Sequence, residues 1–236
     1  MDMIASFNLK RGEMIGNYKL KEFLGRSCES EVYRVQDKYS GSERAIKLFF
    51  PFYDFSHIAR FSAKLERLKG VRGILNYYHA GYWDKHTCHY LVLELVIGKD
   101  LAILSRRSPF PVFKALKVAH ELFRILASCH EKGECLGDLS IDNIIFSQDG
   151  RVKVIDFEVG VPFTKRKVKE DIVSVCEIFY GLNWNLGPYP RDLLRVIPKG
   201  RHTIEKRYGS ANQALNAMEE LIGLGRINSW PNKMAR

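Results

Sequence analysis

Residues 136–158 read LGDLSIDNIIFSQDGRVKVIDFE, and this segment carries the strongest structural signal in the chain. Two strand-like apolar runs, 143–146 and 152–157, enclose the sequence SQDG at 147–150. Small and polar residues of this kind favour a tight turn between two strands. The segment therefore predicts a β-hairpin.

Three polar side chains are placed around this predicted hairpin. Asp138 precedes it, Asn143 opens it and Asp156 lies near its end, so a loop and two strand ends can bring them into one pocket. Mg²⁺ prefers hard oxygen ligands and usually takes only one or two carboxylates beside substrate phosphates. Asn143 and Asp156 would suffice as protein ligands, which leaves Asp138 to accept a proton. Taken singly, each of these residues is also typical of a turn or a helix cap.

The rest of the chain changes from strand-like to helix-like patterns near Gly98. Before that point, alternating and β-branched runs predict strands at 18–24, 31–35, 44–50, 75–81 and 90–95. Apolar residues at three- and four-residue spacing predict helices at 57–69, 112–132, 168–182 and 211–224. A small β-rich half followed by a larger α-rich half predicts an α+β, two-lobed arrangement.

Composition excludes several classes of protein. The chain has 236 residues, 46% of them hydrophobic, which suits a globular core and one or two domains. Lys and Arg number 37 against 27 Asp and Glu, and the net charge of +10 favours contact with phosphate, acidic surfaces or nucleic acid. Five cysteines without C-x-x-C spacing argue against a disulfide framework, so we predict a reducing, cytoplasmic location. The most apolar stretch, 90–98, is shorter than the roughly 20 residues of a membrane span, and none is predicted.

Four motifs in a fixed order resemble those of the protein kinase superfamily. Segment 136–143 is similar to H-R-D-L-x-x-x-N, and Asp156-Phe157-Glu158 is similar to D-F-G. Upstream, 45–47 (AIK) resembles the end of V-A-I-K, and 24–33 resembles a Gly-rich loop. The resemblance implies a protein-kinase-like fold with a β-rich N-lobe and a larger helical C-lobe.

The resemblance extends over about 18–224 and implies a division of the chain. Residues 1–17 would form an N-terminal extension, and 18–236 would form a protein-kinase-like domain. Within that domain, the N-lobe would cover about 18–96 and the C-lobe about 97–236.

The resemblance also implies a role for each matching residue. Lys47 would contact the α- and β-phosphates of ATP, Asp138 would act on the acceptor hydroxyl, and Asn143 with Asp156 would hold Mg²⁺, with Mn²⁺ as an alternative. Glu66 would pair with Lys47, although another alignment gives that place to Phe61 or Ser62. The implied nucleotide-binding positions are Gly25, Ser27, Ser30, Val32, Ala45, Lys47, Glu66, Glu94, Val96 and Asp100.

Departures from the family pattern keep several functions open. Gly25 is the one loop glycine retained, Gly137 replaces an arginine, Ser140 replaces a lysine, and Glu158 replaces a glycine. Only twelve residues separate Glu158 from Asp171, without an Ala-Pro-Glu motif. The leading interpretation is an ATP-dependent kinase acting on a serine or threonine hydroxyl of a protein.

Two other interpretations come from different classes: a kinase-like small-molecule phosphotransferase, and a non-catalytic pseudokinase that acts as an interaction module. The basic run at 165–167 lacks interleaved aromatic residues, which argues against a nucleic-acid partner. The absence of G-x-x-x-x-G-K-[ST] excludes a standard P-loop.

Overall fold

The computed structural model describes residues 6–184 and 189–223, and these residues divide into two compact units. The first unit comprises 6–70 and 75–96, and the second comprises 71–74, 97–184 and 189–223. The start of the predicted N-terminal extension and the end of the predicted C-lobe, including the last position of the helix predicted at 211–224, lie outside the described residues.

The first unit is a six-stranded antiparallel sheet with one helix. The strands follow the order β1-β2-β3-β4-β6-β5. Their bounds are β1 Met14–Ile15, β2 Tyr18–Arg26, β3 Ser30–Asp37, β4 Glu43–Phe49, β5 Tyr77–Trp83 and β6 Cys88–Leu93. Helix α1, Phe55–Arg67, follows β4. All five predicted strands and the predicted helix are confirmed, with small displacements at their ends.

Apolar alternation explains how this sheet buries its core. Tyr33 and Val35 on β3 are buried together with Ile46 and Leu48 on β4. The register pairs Val32 with Lys47, so Lys47 lies in the middle of a central strand and is itself buried. The fold thus places an ammonium group among apolar neighbours.

The second unit is mainly helical, as the sequence predicts. A three-stranded antiparallel sheet joins β7 Gly98–Asp100, β8 Ile144–Ser147 and β9 Val152–Val154. The helices are α2 Leu101–Arg107, α3 Val112–Glu131, α4 Lys165–Leu182, α5 Arg191–Val196, α6 Arg201–Arg207 and α7 Ala211–Gly223. Together the two units confirm the α+β arrangement. No helix in the described ranges is long and apolar enough to cross a bilayer.

The hairpin of the second unit departs from its prediction at one end. Strand β9 stops at Val154, three residues before the predicted end at 157. Beyond it, Ile155 N–H donates to the Asn143 carbonyl (2.9 Å), and Asp156 and Phe157 lie outside the strand. The apolar character of 155–157 reflects burial of Phe157, because that ring is buried without belonging to a strand.

Candidate functional site

Lys47 is held in the first unit by a carboxylate and a ring. Its Nζ lies 2.6 Å from Glu29 Oε1 and 4.6 Å from the centroid of the Phe61 ring on α1. The Lys47 side chain is 5% exposed. A buried ammonium requires a counter-charge, and Glu29 supplies one.

The structure contradicts the proposed pairing of Lys47 with Glu66. Glu66 lies on the exposed face of α1, and its carboxylate is 3.7 Å from Lys69 Nζ. Of the two alternatives, Phe61 contacts Lys47 through its ring, whereas the Ser62 hydroxyl has no hydrogen-bond partner within the described ranges. The nucleotide-binding role that the resemblance implies for Glu66 stays a prediction. Sequence reasoning missed Glu29, because its contact depends on the conformation of the loop between β2 and β3.

The segment that resembles a Gly-rich loop forms a turn closed on itself. Ser27 N–H donates to the Ser30 carbonyl (2.9 Å), while Ser27 Oγ accepts hydrogen bonds from the N–H groups of Glu29 and Ser30, both at 3.2 Å. Gly25 belongs to β2, opposite Val32 on β3. The Ser27 hydroxyl thus stabilises the turn through hydrogen bonds that a glycine could not make.

Three other nucleotide-binding positions that the resemblance implies, Ala45, Glu94 and Val96, each have different neighbours. Ala45 is buried on β4, opposite Leu93 on β6. Glu94 follows β6 and exchanges hydrogen bonds with Asn76: its N–H donates to the Asn76 carbonyl (2.8 Å), and its Oε2 accepts from Asn76 N–H (2.9 Å). Val96 lies after Glu94, outside any helix or strand. The backbone of this stretch is therefore fixed at Glu94.

Asp100 belongs to the second unit and has a structural role there. Its Oδ1 accepts a hydrogen bond of 2.5 Å from Ile103 N–H, which caps the N-terminus of α2. Capping satisfies one of the backbone donors that a helix leaves open at its first turn. The family resemblance implies a nucleotide-binding role for Asp100, and this role remains a proposal.

Asp138 and Asn143, two of the predicted site residues, are brought together by segment 136–143, which we call the catalytic loop after the kinase motif that it resembles. Asn143 Nδ2 donates to the Asp138 backbone carbonyl (3.0 Å) and to Asp138 Oδ2 (3.1 Å). Asn143 directly precedes β8, and its carbonyl accepts from Ile155, the residue before Asp156. The hairpin register thus places Asn143 beside the chain segment that carries Asp156. Their amide and carboxylate oxygens are the ligand chemistry that suits Mg²⁺.

A buried carboxylate that sequence reasoning did not assign anchors this loop. Asp171, on α4, is 1% exposed. It accepts hydrogen bonds from Leu136 N–H at Oδ2 and from Gly137 N–H at Oδ1, both at 2.9 Å. His130 Nε2 on α3 lies 2.9 Å from the same Oδ2. An aspartate within the apolar stripe of a predicted helix was the available signal, because a buried carboxylate requires donors.

Three groups at this anchor have the atom types of a metal site, but their geometry indicates a structural role. Candidate ligand atoms of His130, Cys135 and Asp171 lie within 4.8 Å of one another. Both oxygens of Asp171 accept hydrogen bonds from backbone N–H groups, as a loop anchor requires.

Elsewhere on α4, burial raises the pKa of the Cys176 thiol to about 12, so this thiol is protonated near neutral pH and is not a nucleophile.

Gly137 leaves no room for the arginine that it replaces. Its φ is +84°, and a Cβ at this position would lie 2.7 Å from Glu158 Oε2 and 2.9 Å from Val161 Cγ2. Glu158 N–H also donates to the Leu136 carbonyl (3.0 Å). Glu158 and Val161 thus occupy the space beside the catalytic loop.

Comparisons with known proteins identify related chains. A family model described as "Protein kinase domain" matches residues 18–177. The chain is 27% identical over 164 residues to serine/threonine-protein kinase PknH of Mycobacterium tuberculosis, covering 67% of this chain and 26% of PknH. It is 30% identical over 151 residues to the probable serine/threonine-protein kinase MARK-B of Dictyostelium discoideum, covering 63% of this chain and 21% of that protein. The chain therefore spans about a quarter of the length of these curated relatives.

A solved structure of a kinase domain has a similar fold. The crystal structure of the Mycobacterium tuberculosis PknI kinase domain aligns with a TM-score of 0.70 and 21% identity, covering 91% of this chain and 99% of that chain. This similarity confirms the fold class that the sequence predicts.

Proposed function

The chain belongs to the protein kinase family, and from this premise we propose that it transfers the γ-phosphate of ATP to a serine or threonine hydroxyl of a protein. The observation that carries the proposal is the pairing of Asn143 with Asp138 at the base of the hairpin that leads to Asp156. One loop thus carries a candidate base, Asp138, and a candidate amide ligand, Asn143. The candidate carboxylate ligand, Asp156, follows the adjoining hairpin. The curated relatives described as serine/threonine-protein kinases support the choice of acceptor.

We assign the chemical roles as follows. Lys47 neutralises charge on the α- and β-phosphates, and Asp138 orients the acceptor hydroxyl and accepts its proton. Asn143 and Asp156 would hold Mg²⁺ or Mn²⁺, which supplies further neutralisation of the phosphates when bound. Gly25, Ser27, Ser30, Val32, Ala45, Glu94 and Val96 remain proposed nucleotide contacts, together with Asp100 at the ribose.

Nucleotide binding is the first test of this proposal. ATP with Mg²⁺ at 100 times its Kd should stabilise the protein by about 2.7 kcal/mol and raise its Tm by roughly 5–10 °C. Lys47→Met and Asp156→Ala should each remove most of this rise, because one loses the phosphate counter-charge and the other loses a metal ligand. A thermal-shift titration measures both effects.

Two control variants distinguish the loss of a nucleotide or metal contact from a general effect of removing a charge. Lys38→Met and Asp149→Ala change exposed residues elsewhere in the same units and should keep the full ATP response. A native protein that responds to neither nucleotide nor metal would contradict the proposal and favour the pseudokinase interpretation.

A further prediction concerns control by phosphorylation. Thr164 is the only hydroxyl residue between Glu158 and Asp171, and its side chain caps α4 by accepting a 3.2 Å hydrogen bond from Lys167 N–H. An arginine at position 137 would be the usual partner of a phosphate in this segment, and Gly137 cannot replace it. We therefore expect kinase activity to be unchanged, within about twofold, after phosphatase treatment or after Thr164→Asn.

The choice of asparagine makes this experiment specific. Asparagine caps a helix well, whereas Thr164→Ala would cost about 1 kcal/mol of stability through loss of the cap alone. Activity is measured as phosphate incorporation before and after phosphatase treatment of both proteins. A large loss in either the treated wild type or Thr164→Asn would show that phosphorylated Thr164 has a partner other than an arginine at position 137.

A further inference from the structure

The carboxylate on Lys47 comes from the loop between β2 and β3. Glu29 Oε1 lies 2.6 Å from Lys47 Nζ, and the two side chains are 20% and 5% exposed. At this distance and burial, the contact is a charge-assisted hydrogen bond shielded from bulk water. This contact holds the ammonium group of Lys47 beside the Glu29 carboxylate.

Helix α1 approaches the same pair with a ring and an imidazole. Phe61 places its ring 4.6 Å from Lys47 Nζ, which suits a cation–π contact. His57, in the first turn of α1, places Nε2 3.4 Å from Glu29 Oε2. Helix α1 therefore contacts Lys47 directly through Phe61 and indirectly through His57 and Glu29. The Glu66 side chain, in contrast, is exposed to solvent.

The backbone of Glu29 is held on both sides. Its carbonyl accepts a 2.9 Å hydrogen bond from Phe50 N–H, just beyond the end of β4. Its N–H donates to Ser27 Oγ at 3.2 Å. The glutamate thus extends the pairing of β3 with β4 and presents its side chain from a constrained position.

We propose that Glu29 is the positioning residue for Lys47, in place of a glutamate on the helix. The inference rests on the proposed function, since it gives Lys47 the task of orienting phosphates. An ammonium group has three N–H donors, so one contact with Glu29 is compatible with a phosphate contact. Because the carboxylate belongs to the loop, the orientation of Lys47 follows the conformation of 27–30.

Kinetics test the proposal in the full chain. Glu29→Gln should lower kcat/KM for ATP by about 10- to 100-fold, mostly through kcat, because a misplaced lysine still attracts phosphates but aligns them poorly. Glu29→Asp should retain more activity than Glu29→Gln, because it keeps the charge. Glu43→Gln, which removes a solvent-exposed partner of Arg34 on the same sheet, is the matched control and should behave as wild type.

A second readout does not depend on turnover. In the nucleotide-free protein, an amine-acylating reagent should modify Lys47 about 3- to 10-fold faster in Glu29→Gln than in wild type, because the 2.6 Å charge-assisted hydrogen bond that engages Nζ in wild type is weakened. Mass spectrometry of the Lys47 peptide gives the rate, and Glu43→Gln again serves as the control. Unchanged labelling of Lys47 would overturn the proposal.

The kinetic outcomes separate this inference from the proposed function. Wild-type activity that survives Glu29→Gln would overturn the role of Glu29 and leave the kinase assignment intact. Tighter ATP binding in Glu29→Gln would show that the carboxylate competes with phosphate, which also overturns positioning. A loss of activity in Glu66→Gln but not in Glu29→Gln would return the role to the helix. A wild-type protein without nucleotide binding would remove both proposals.

Discussion

Asp138→Asn is expected to lower phosphate transfer by about 100- to 10,000-fold while ATP binding stays near wild type. Asparagine keeps the size of the side chain and an oxygen that can accept from Asn143 Nδ2, so the loop geometry is retained. It removes the negative charge and the capacity to take a proton from the acceptor hydroxyl. Phosphate incorporation measures the loss, and a nucleotide thermal shift measures the retained binding.

Asp142→Asn is the matched control for this substitution. Asp142 is an exposed carboxylate in the same loop, and its replacement should leave transfer within about threefold of wild type. Equal activity of Asp138→Asn and wild type would remove Asp138 from the assigned role. Phosphate that appears on sugars or aminoglycosides, and never on protein, would favour the small-molecule phosphotransferase.

Asp171→Ala should produce the largest loss of stability. The carboxylate accepts from Leu136 N–H and Gly137 N–H and contacts His130 Nε2, all at 2.9 Å. Alanine leaves the Leu136 and Gly137 N–H groups without this acceptor and removes the contact with His130, and a total of about 3–5 kcal/mol is expected, as for breaking a buried polar pair. The Tm should fall by roughly 6–20 °C in a thermal melt.

Glu177→Ala provides the comparison for Asp171→Ala. Glu177 lies on the same helix α4 but is exposed, so its replacement should shift the Tm by no more than about 2 °C. A similarly small shift for Asp171→Ala would mean that water or a rearranged loop satisfies the donors of Leu136 and Gly137. In that case the carboxylate would not be the anchor of the catalytic loop.

Local patterns account for what the sequence predicted correctly. The turn at 147–150 and its flanking apolar runs predicted β8 and β9, because hairpin geometry depends on neighbouring residues. The apolar stripe of α3 likewise predicted its bounds at 112–132, within one residue of Val112–Glu131. The pairing of Asp138 with Asn143 also lies within one loop.

Tertiary contacts explain what the sequence did not predict. Helix α2 and strand β7 are short and polar in part, so they lack a periodic signal of their own. The pairing of Lys47 with Glu29 joins a strand to a loop eighteen residues away, and only the folded sheet brings them together. The anchor at Asp171 spans more than thirty residues to the catalytic loop for the same reason.

The crowding at Gly137 limits which single substitutions the chain can tolerate at this position. A side chain at this position would need a strained backbone at φ +84° and would meet the Cβ of Glu158 and the Cγ2 of Val161, each at 2.9 Å. A smaller residue at 161 would relieve only one of these contacts, and the strained backbone at position 137 would remain. The effect of an arginine at position 137 on stability therefore depends on which residues occupy 158 and 161, so the three positions are expected to be coupled in mutational tests.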